Sequence, residues 1–218
     1  IYIIRAEELS VIYQFVVLLC FFTTTKAQIN FPSTKIHYTI SGDTLSQPYY
    51  RNISIDSVSE NTRYAIISLH GDGRNAYEHF NIITQAATNA GVGDSTILLA
   101  ALYPFPDDNN QYNLGDYVLY WSDSDWNAGD LSRNTQSNPR PFRISSFSAM
   151  DTIYHKLAEN NPNLERIVLT GHSAGSQMVV RYAAGGRAQG ALNSLGIEVV
   201  YVPTNPPSFL YYLSLIPI

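Results

Sequence analysis

Ile167-Val168-Leu169-Thr170-Gly171-His172-Ser173-Ala174-Gly175-Ser176-Gln177-Met178-Val179-Val180 is the stretch that decides the fold. A short β-branched apolar run enters Gly-x-Ser-x-Gly, and small and apolar residues follow at helical spacing. The pentapeptide is therefore expected on a sharp strand-to-helix turn. A serine that attacks a carbonyl must stand proud of the backbone, and side chains two positions either way would collide with the strand and helix, which accounts for Gly171 and Gly175. The amide of Ala174, at the start of the new helix, is expected to point where a tetrahedral oxyanion forms, on the side favoured by the helix dipole. An ordinary Gly/Ser-rich helix start could use the same five letters. The strand before and the helix after favour the nucleophile turn.

Upstream, Tyr64 to Leu69 is a continuous apolar run of the kind buried on both faces of a sheet, and it delivers His70-Gly71-Asp72-Gly73 into a loop. Asn75 to Asn89 has Phe80, Ile82, Ile83, Ala86 and Ala87 in helical register, with Gly91 as a stop, and Ile97 to Leu102 is the next buried strand. Strand, loop, helix and strand in that order specify a parallel βαβ unit. The glycine-rich loop lies where a two-donor oxyanion hole takes its second amide, Asp72 first and Gly71 next; the plainer alternative is a tight turn without catalytic role. Farther upstream, Lys35 to Ile40 and Tyr50 to Ile55 both alternate, with Ser41-Gly42-Asp43 as a turn, which predicts an antiparallel hairpin.

Between the βαβ unit and the central stretch, Tyr103 to Arg143 shows no sustained period, and about forty residues without elements in a compact domain are usually functional. Trp121 and Trp126 lie in its middle, either as anchors of the loop or as walls of a substrate pocket. Ile144 to Asn160 resumes helical spacing, Arg166 to Leu169 enters the central turn, and the helix from Ala174 runs to about Ala184 before Gly185-Gly186. Ile197 to Val202 is one more apolar strand, followed by Pro203, Pro206 and Pro207.

The composition is globular, and the net charge of −5 comes without a Lys/Arg cluster, which argues against nucleic acid as a partner. One cysteine, Cys20, gives no disulfide framework, and scattered histidines offer no ligand spacing, so no metal and no cofactor are implied. Val11 to Phe22 is too short an apolar run for a stable membrane span. With Thr25-Lys26-Ala27 it reads as a secretory signal over residues 1–27, cleaved before Gln28, leaving 28–218 as an exported domain; an uncleaved anchor is the alternative. The sequon Asn52-Ile53-Ser54 agrees with export.

Leu69-His70-Gly71-Asp72-Gly73-Arg74-Asn75-Ala76, Tyr120-Trp121-Ser122 with Trp126, and Leu169-Thr170-Gly171-His172-Ser173-Ala174-Gly175 together resemble the secreted α/β-hydrolase family of serine esterases and lipases, in a branch with an HGxGRNA loop and a GHSAG elbow. The resemblance covers Lys35 to Tyr212. It implies an α/β fold, a mostly parallel sheet with helices on both faces, and a small-molecule or lipid ester as substrate. It also implies a mechanism in which Ser173 attacks an ester carbonyl, a histidine oriented by an acid takes its proton, and water later releases the acyl group.

In that fold the order is serine, acid, histidine. Here no histidine follows Ser173, and the one later carboxylate, Glu198, falls inside the last expected strand. His37, His79 and His155 fall on elements where core or surface roles are the default. His70 is expected to make a structural hydrogen bond, and His172 to point away from Oγ. The expectation is thus a partial hydrolase domain whose last strands, with acid and base, are missing. A non-catalytic pseudo-hydrolase that binds a ligand or protein through the same pocket is the alternative.

Overall fold

The computed structural model describes residues 31–208; the leader expected over 1–27, Cys20 within it, and the tail from 209 lie outside the described residues. The chain enters through a hairpin of β1 (Lys35–Ile40) and β2 (Asp43–Arg51). Its two-residue turn has Ser41 at φ 54° and Gly42 at φ 95°, both positive, so Ile40 pairs directly with Asp43. The second strand therefore starts earlier than the alternation at Tyr50 to Ile55 predicts, and of those residues only Tyr50 and Arg51 lie in the sheet, opposite Ala100 and Leu99. Gln47 hides the pattern: it is buried, accepts the Tyr38 hydroxyl at 2.7 Å and donates to Leu102 O at 3.1 Å. At the strand's end Asn52 takes over the ladder with its side chain, giving Nδ2–H to Thr96 O and accepting Leu98 N–H, both at 2.8 Å.

The rest alternates as α/β units: β3 (Tyr64–Leu69), α1 (Ala76–Asn89), β4 (Thr96–Ala101), α2 (Pro106–Tyr112), α3 (Ser146–Asn160), β5 (Arg166–His172), α4 (Ala174–Gly185), α5 (Ala188–Ser194) and β6 (Glu198–Thr204). The strands form one six-stranded sheet in the order β1-β2-β4-β3-β5-β6. β2 runs antiparallel to both neighbours, while β4, β3, β5 and β6 are parallel. That order, with that one reversed strand, is the first part of an α/β-hydrolase sheet, and helices cover both faces.

On one face α1 lays Ile83 and Ala87 over Leu98 and Ile66. On the other, Met150, Ile153 and Leu157 of α3 and Met178, Val179 and Tyr182 of α4 close the main core over Ile67, Leu69, Ile167 and Leu169. Each fully buried aliphatic side chain there contributes about 1.5–3 kcal/mol. Register brings the ends of β3 and β5 together, Leu69 opposite Gly171, so the loops after both strands open at the same edge.

Two helices lie where the sequence pattern gave none. Within the stretch expected to be unstructured, Phe105-Pro106-Asp107-Asp108 starts α2, with Pro106 at its first position and acids in its first turn. α5 is too short for periodicity to reveal, and its first amides are held from a distance: Asp151 Oδ1 accepts Arg187 N–H at 3.0 Å and Ala188 N–H at 3.1 Å. α3 starts at Ser146, after Ile144, because Ser145 Oγ caps it by accepting Phe147 N–H and Ser148 N–H. Among the described residues no helix is long and apolar enough to cross a membrane, and no three His, Cys, Asp or Glu side chains are grouped to hold a metal ion.

Candidate active site

Ser173 sits between β5 and α4 with φ 55° and ψ −121°, a conformation that a residue with a side chain adopts only under constraint. The constraint is steric. A Cβ on Gly171 would lie 2.6 Å from Gly175 C, and one on Gly175 would run into the carbonyl oxygens of Leu69 and His70, the latter at 2.5 Å. Backbone thus passes backbone where side chains would stand, and the chain reverses within the pentapeptide. Ser173 N–H reaches Thr204 O of β6 at 3.3 Å and Gln177 N–H returns to Ser173 O at 3.1 Å, so the turn is tied to the sheet and to the helix. Ala174 is the first residue of α4, where an N–H has no acceptor within the helix, and its side chain is buried.

The His70–Gly73 loop lies against this turn. A Cβ on Gly71 would stand 3.6 Å from Ser173 Cβ, so the loop backbone passes beside the serine. Gly71 O accepts Arg74 N–H at 3.1 Å, closing a tight turn whose tip is Asp72 and Gly73, both exposed. Below it His70 is fully buried, its Nδ1 2.7 Å from Gly71 O and its Nε2 accepting Tyr103 N–H at 3.0 Å. Burial pushes its pKa down to about 3. With both ring nitrogens committed to backbone, His70 is a bracket for the loop and cannot act as a base toward Ser173.

Among the described residues no hydrogen bond joins another histidine to Ser173. His37, His155 and His172 are exposed. His79 pairs with Ser68 Oγ at 3.2 Å, and burial, with His172 nearby, lowers its pKa. Glu198 forms a surface ion pair with Arg166 at 2.6 Å at the far end of β6 from the turn. Beside His172 a cleft of about 450 Å³ opens between α1 and the ends of β5 and β6, lined by residues including Asn75, His79, Ile82, Thr170 and Thr204. Ser173 is not among its lining residues.

Trp121 and Trp126 are both fully buried, the placement of loop anchors. Trp126 lies with its centroid 4.7 Å from that of His70 and 5.0 Å from that of Tyr103, and Trp121 packs on Tyr103 at 5.1 Å. The four rings form a buried cluster beneath the loop, by which the two tryptophans anchor the long segment on the body. What sequence reasoning missed is next to them. Arg74 also has a left-handed backbone, φ 54°, and its guanidinium reaches across to Asp108 of α2 at 3.0 Å. Arg140, buried in the same segment, binds Val118 O, Gly115 O and Asn109 Oδ1 and lies 4.8 Å over the Tyr120 ring, holding the segment's far half.

No family model matches this chain, and no curated protein matches it. Among solved structures, it is similar to poly(aspartic acid) hydrolase-1 from Sphingomonas sp. KT-1, at 23% identity and a TM-score of 0.39 over 69% of this chain and 50% of that one. It is similar also to a poly(3-hydroxybutyrate) depolymerase from Bordetella parapertussis, at 18% identity and a TM-score of 0.42 over 72% of this chain and 48% of that one. A siderophore hydrolase from Aspergillus nidulans matches at 15% identity and a TM-score of 0.34, over 71% and 52%. The chain spans about half the length of these structures. The fold assignment rests on the strand order and the turn at Ser173.

Proposed function

We propose that this chain carries the nucleophile half of a serine hydrolase acting on carboxylic esters of small molecules or lipids. The observation that carries the reading is the backbone of Ser173, held at φ 55° and ψ −121° between a buried strand and a helix, with Gly71 of the preceding loop against it. Strain of this kind persists where the surroundings over-determine it, and here it lifts a hydroxyl to the edge where two strands end.

In this reading Ser173 Oγ adds to the ester carbonyl and the alcohol leaves, forming an acyl-enzyme that water hydrolyses. The developing oxyanion is met by the N–H groups of Ala174 and Asp72, with Gly71 beside them, in positions fixed before the substrate arrives. Proton transfer needs a histidine and an orienting acid. Among the described residues no hydrogen bond joins a histidine or a carboxylate to the Ser173 hydroxyl, and no described residue is assigned either role in this reading. Export through the leader belongs to the same reading.

The test is covalent labelling of the full-length protein with a fluorophosphonate, followed by peptide mass analysis. Ser173 is expected to carry the phosphonate, and Ser173→Ala to abolish it. No label on a folded protein, or label surviving that substitution, overturns the assignment and leaves the binding-protein alternative.

A further inference from the structure

Arg74 is the residue at which the oxyanion turn ends, and its conformation is unusual for its type. At φ 54° it stands in the left-handed region, where a side chain costs energy and glycine or asparagine is the ordinary choice. Nothing in the turn itself demands an arginine there: Gly73, one residue before, has open space around a Cβ, and Arg74 N–H to Gly71 O is a bond any residue but proline could make.

What demands it is on the other side of the site. The guanidinium lies 4.3 Å over the Phe105 ring with Nε 3.0 Å from Asp108 Oδ2, a charge contact outside hydrogen-bond geometry. The Asp108 side chain is 1% exposed; Oδ2 also accepts Phe105 N–H at 2.7 Å, and Oδ1 is buried without a hydrogen-bond partner. A carboxylate so enclosed is costly unless a cation faces it, and Arg74 is the one that does so among the described residues. The pair therefore joins the end of the Gly71–Arg74 turn to the start of α2, across the gap that His70 and Tyr103 close from below.

We infer that Arg74 and Asp108 are a positioning pair: their contact sets the direction of the Gly71 and Asp72 amides relative to Ser173, and acyl transfer depends on it. The inference rests on the hydrolase reading above. Neither side chain touches the reacting atoms. Their effect is geometric, because an oxyanion donor works only where the charge will form.

The experiment measures hydrolysis of p-nitrophenyl acetate by the full-length protein and its variants Arg74→Met, Arg74→Gly, Arg74→Lys, Asp108→Asn and the double Arg74→Met/Asp108→Asn. Inhibition by phenylboronic acid, which forms a tetrahedral adduct on a serine, is measured alongside. Arg74→Gly keeps the left-handed turn without strain and so separates the pair's role from folding. The expected result is a fall in kcat of roughly ten- to a hundredfold, less than for outright loss of an oxyanion donor, with KM within about twofold. The boronate inhibition constant should rise in step, the double variant should be no worse than the worse single one, and Arg74→Lys should recover part of kcat. Arg166→Met, which breaks an exposed pair, serves as the unchanged control. An active wild type whose Arg74→Gly and Asp108→Asn variants keep kcat, or lose only thermal stability, overturns the positioning role alone. A wild type that neither turns over the ester nor labels at Ser173 overturns the hydrolase reading and this inference with it.

Discussion

His70 Nε2 accepts the backbone N–H of Tyr103 at 3.0 Å, and this one bond decides which ring nitrogen carries the proton. A backbone N–H can only donate, so Nε2 is bare and the proton is on Nδ1, which gives it to Gly71 O at 2.7 Å. The ring is neutral by construction. Protonating it would break the bond to Tyr103 and leave a charge among Trp126, Tyr103 and Trp121.

Stability should therefore depend on pH through His70. Unfolded, it takes up a proton near the ordinary imidazole value of about 6.5; folded, burial delays this to about 3. In between, the unfolded chain binds the extra proton, so the contribution is complete above about pH 6.5 and is lost as pH falls toward 3. Within that window each pH unit removes about 1.4 kcal/mol on this residue's account, and His79, shifted the same way, adds to the trend. Urea unfolding followed from neutral to mildly acidic pH should show this slope, and His70→Gln should be shallower by about one proton. An equal slope in the variant would refute the assignment.

The elbow's glycines make a sharper contrast. Gly175→Ala drives a methyl into the backbone of Leu69 and His70, and Gly171→Ala into that of Gly175, whereas Gly73→Ala meets nothing within 4 Å. Forcing backbone apart costs at least about 1–3 kcal/mol, so the first two should melt well below wild type, and Gly73→Ala should stay within about 0.5 kcal/mol. Thermal unfolding of the three, followed by near-ultraviolet circular dichroism, checks it; a stable Gly175→Ala would mean the turn is looser than described.

The difference between Gly73 and Gly175 also marks how much could be read from the sequence. The elbow, the βαβ units and the parallel core were legible because buried strands and amphipathic helices leave periodic traces, and because Gly-x-Ser-x-Gly needs its glycines for a local steric reason. The hairpin's second strand was misread where a buried Gln47 satisfied by Tyr38 and Leu102 broke the alternation. α5 was missed because its cap is Asp151, on another helix. The tryptophans could be seen to matter, but whether a ring faces a ligand or the core depends on what lies over it, and His70 does. Arg74 stands in the HGxGRNA motif without a legible role, since a left-handed arginine is explained only by a carboxylate that chain topology brings near.

Asp151 offers a test of such long-range capping. Its Oδ1 accepts three bonds, from Tyr182 O–H at 2.6 Å and from the amides of Arg187 and Ala188, and the Tyr182 hydroxyl is pushed well above its usual pKa, by burial first and then by this carboxylate. Asp151→Ala leaves all three donors without that acceptor, and should cost about 2–3 kcal/mol. Hydrogen exchange should locate the loss: amides of α5 should exchange faster in the variant while those of β3 and β5 follow the global change. Unchanged protection in α5 would show that the helix does not depend on this cap.

Ser173 itself should be a site where function and stability oppose each other. Its backbone conformation costs a residue with a Cβ about 1–3 kcal/mol, and glycine reaches positive φ with little penalty. Against this, glycine adds freedom to the unfolded chain, about 0.4–1 kcal/mol relative to alanine. Ser173→Ala removes the hydroxyl and keeps the strain; Ser173→Gly removes both. The glycine variant should therefore be more stable than the alanine variant by about 1 kcal/mol, in the same direction as the ordinary preference of a helix N-cap for glycine over alanine. Equilibrium unfolding of the two variants in urea reads the difference directly, and neither can form an acyl-enzyme, so activity does not enter. An alanine variant as stable as the glycine one would mean that the turn stores no strain at Ser173, and would remove the observation on which the hydrolase reading rests.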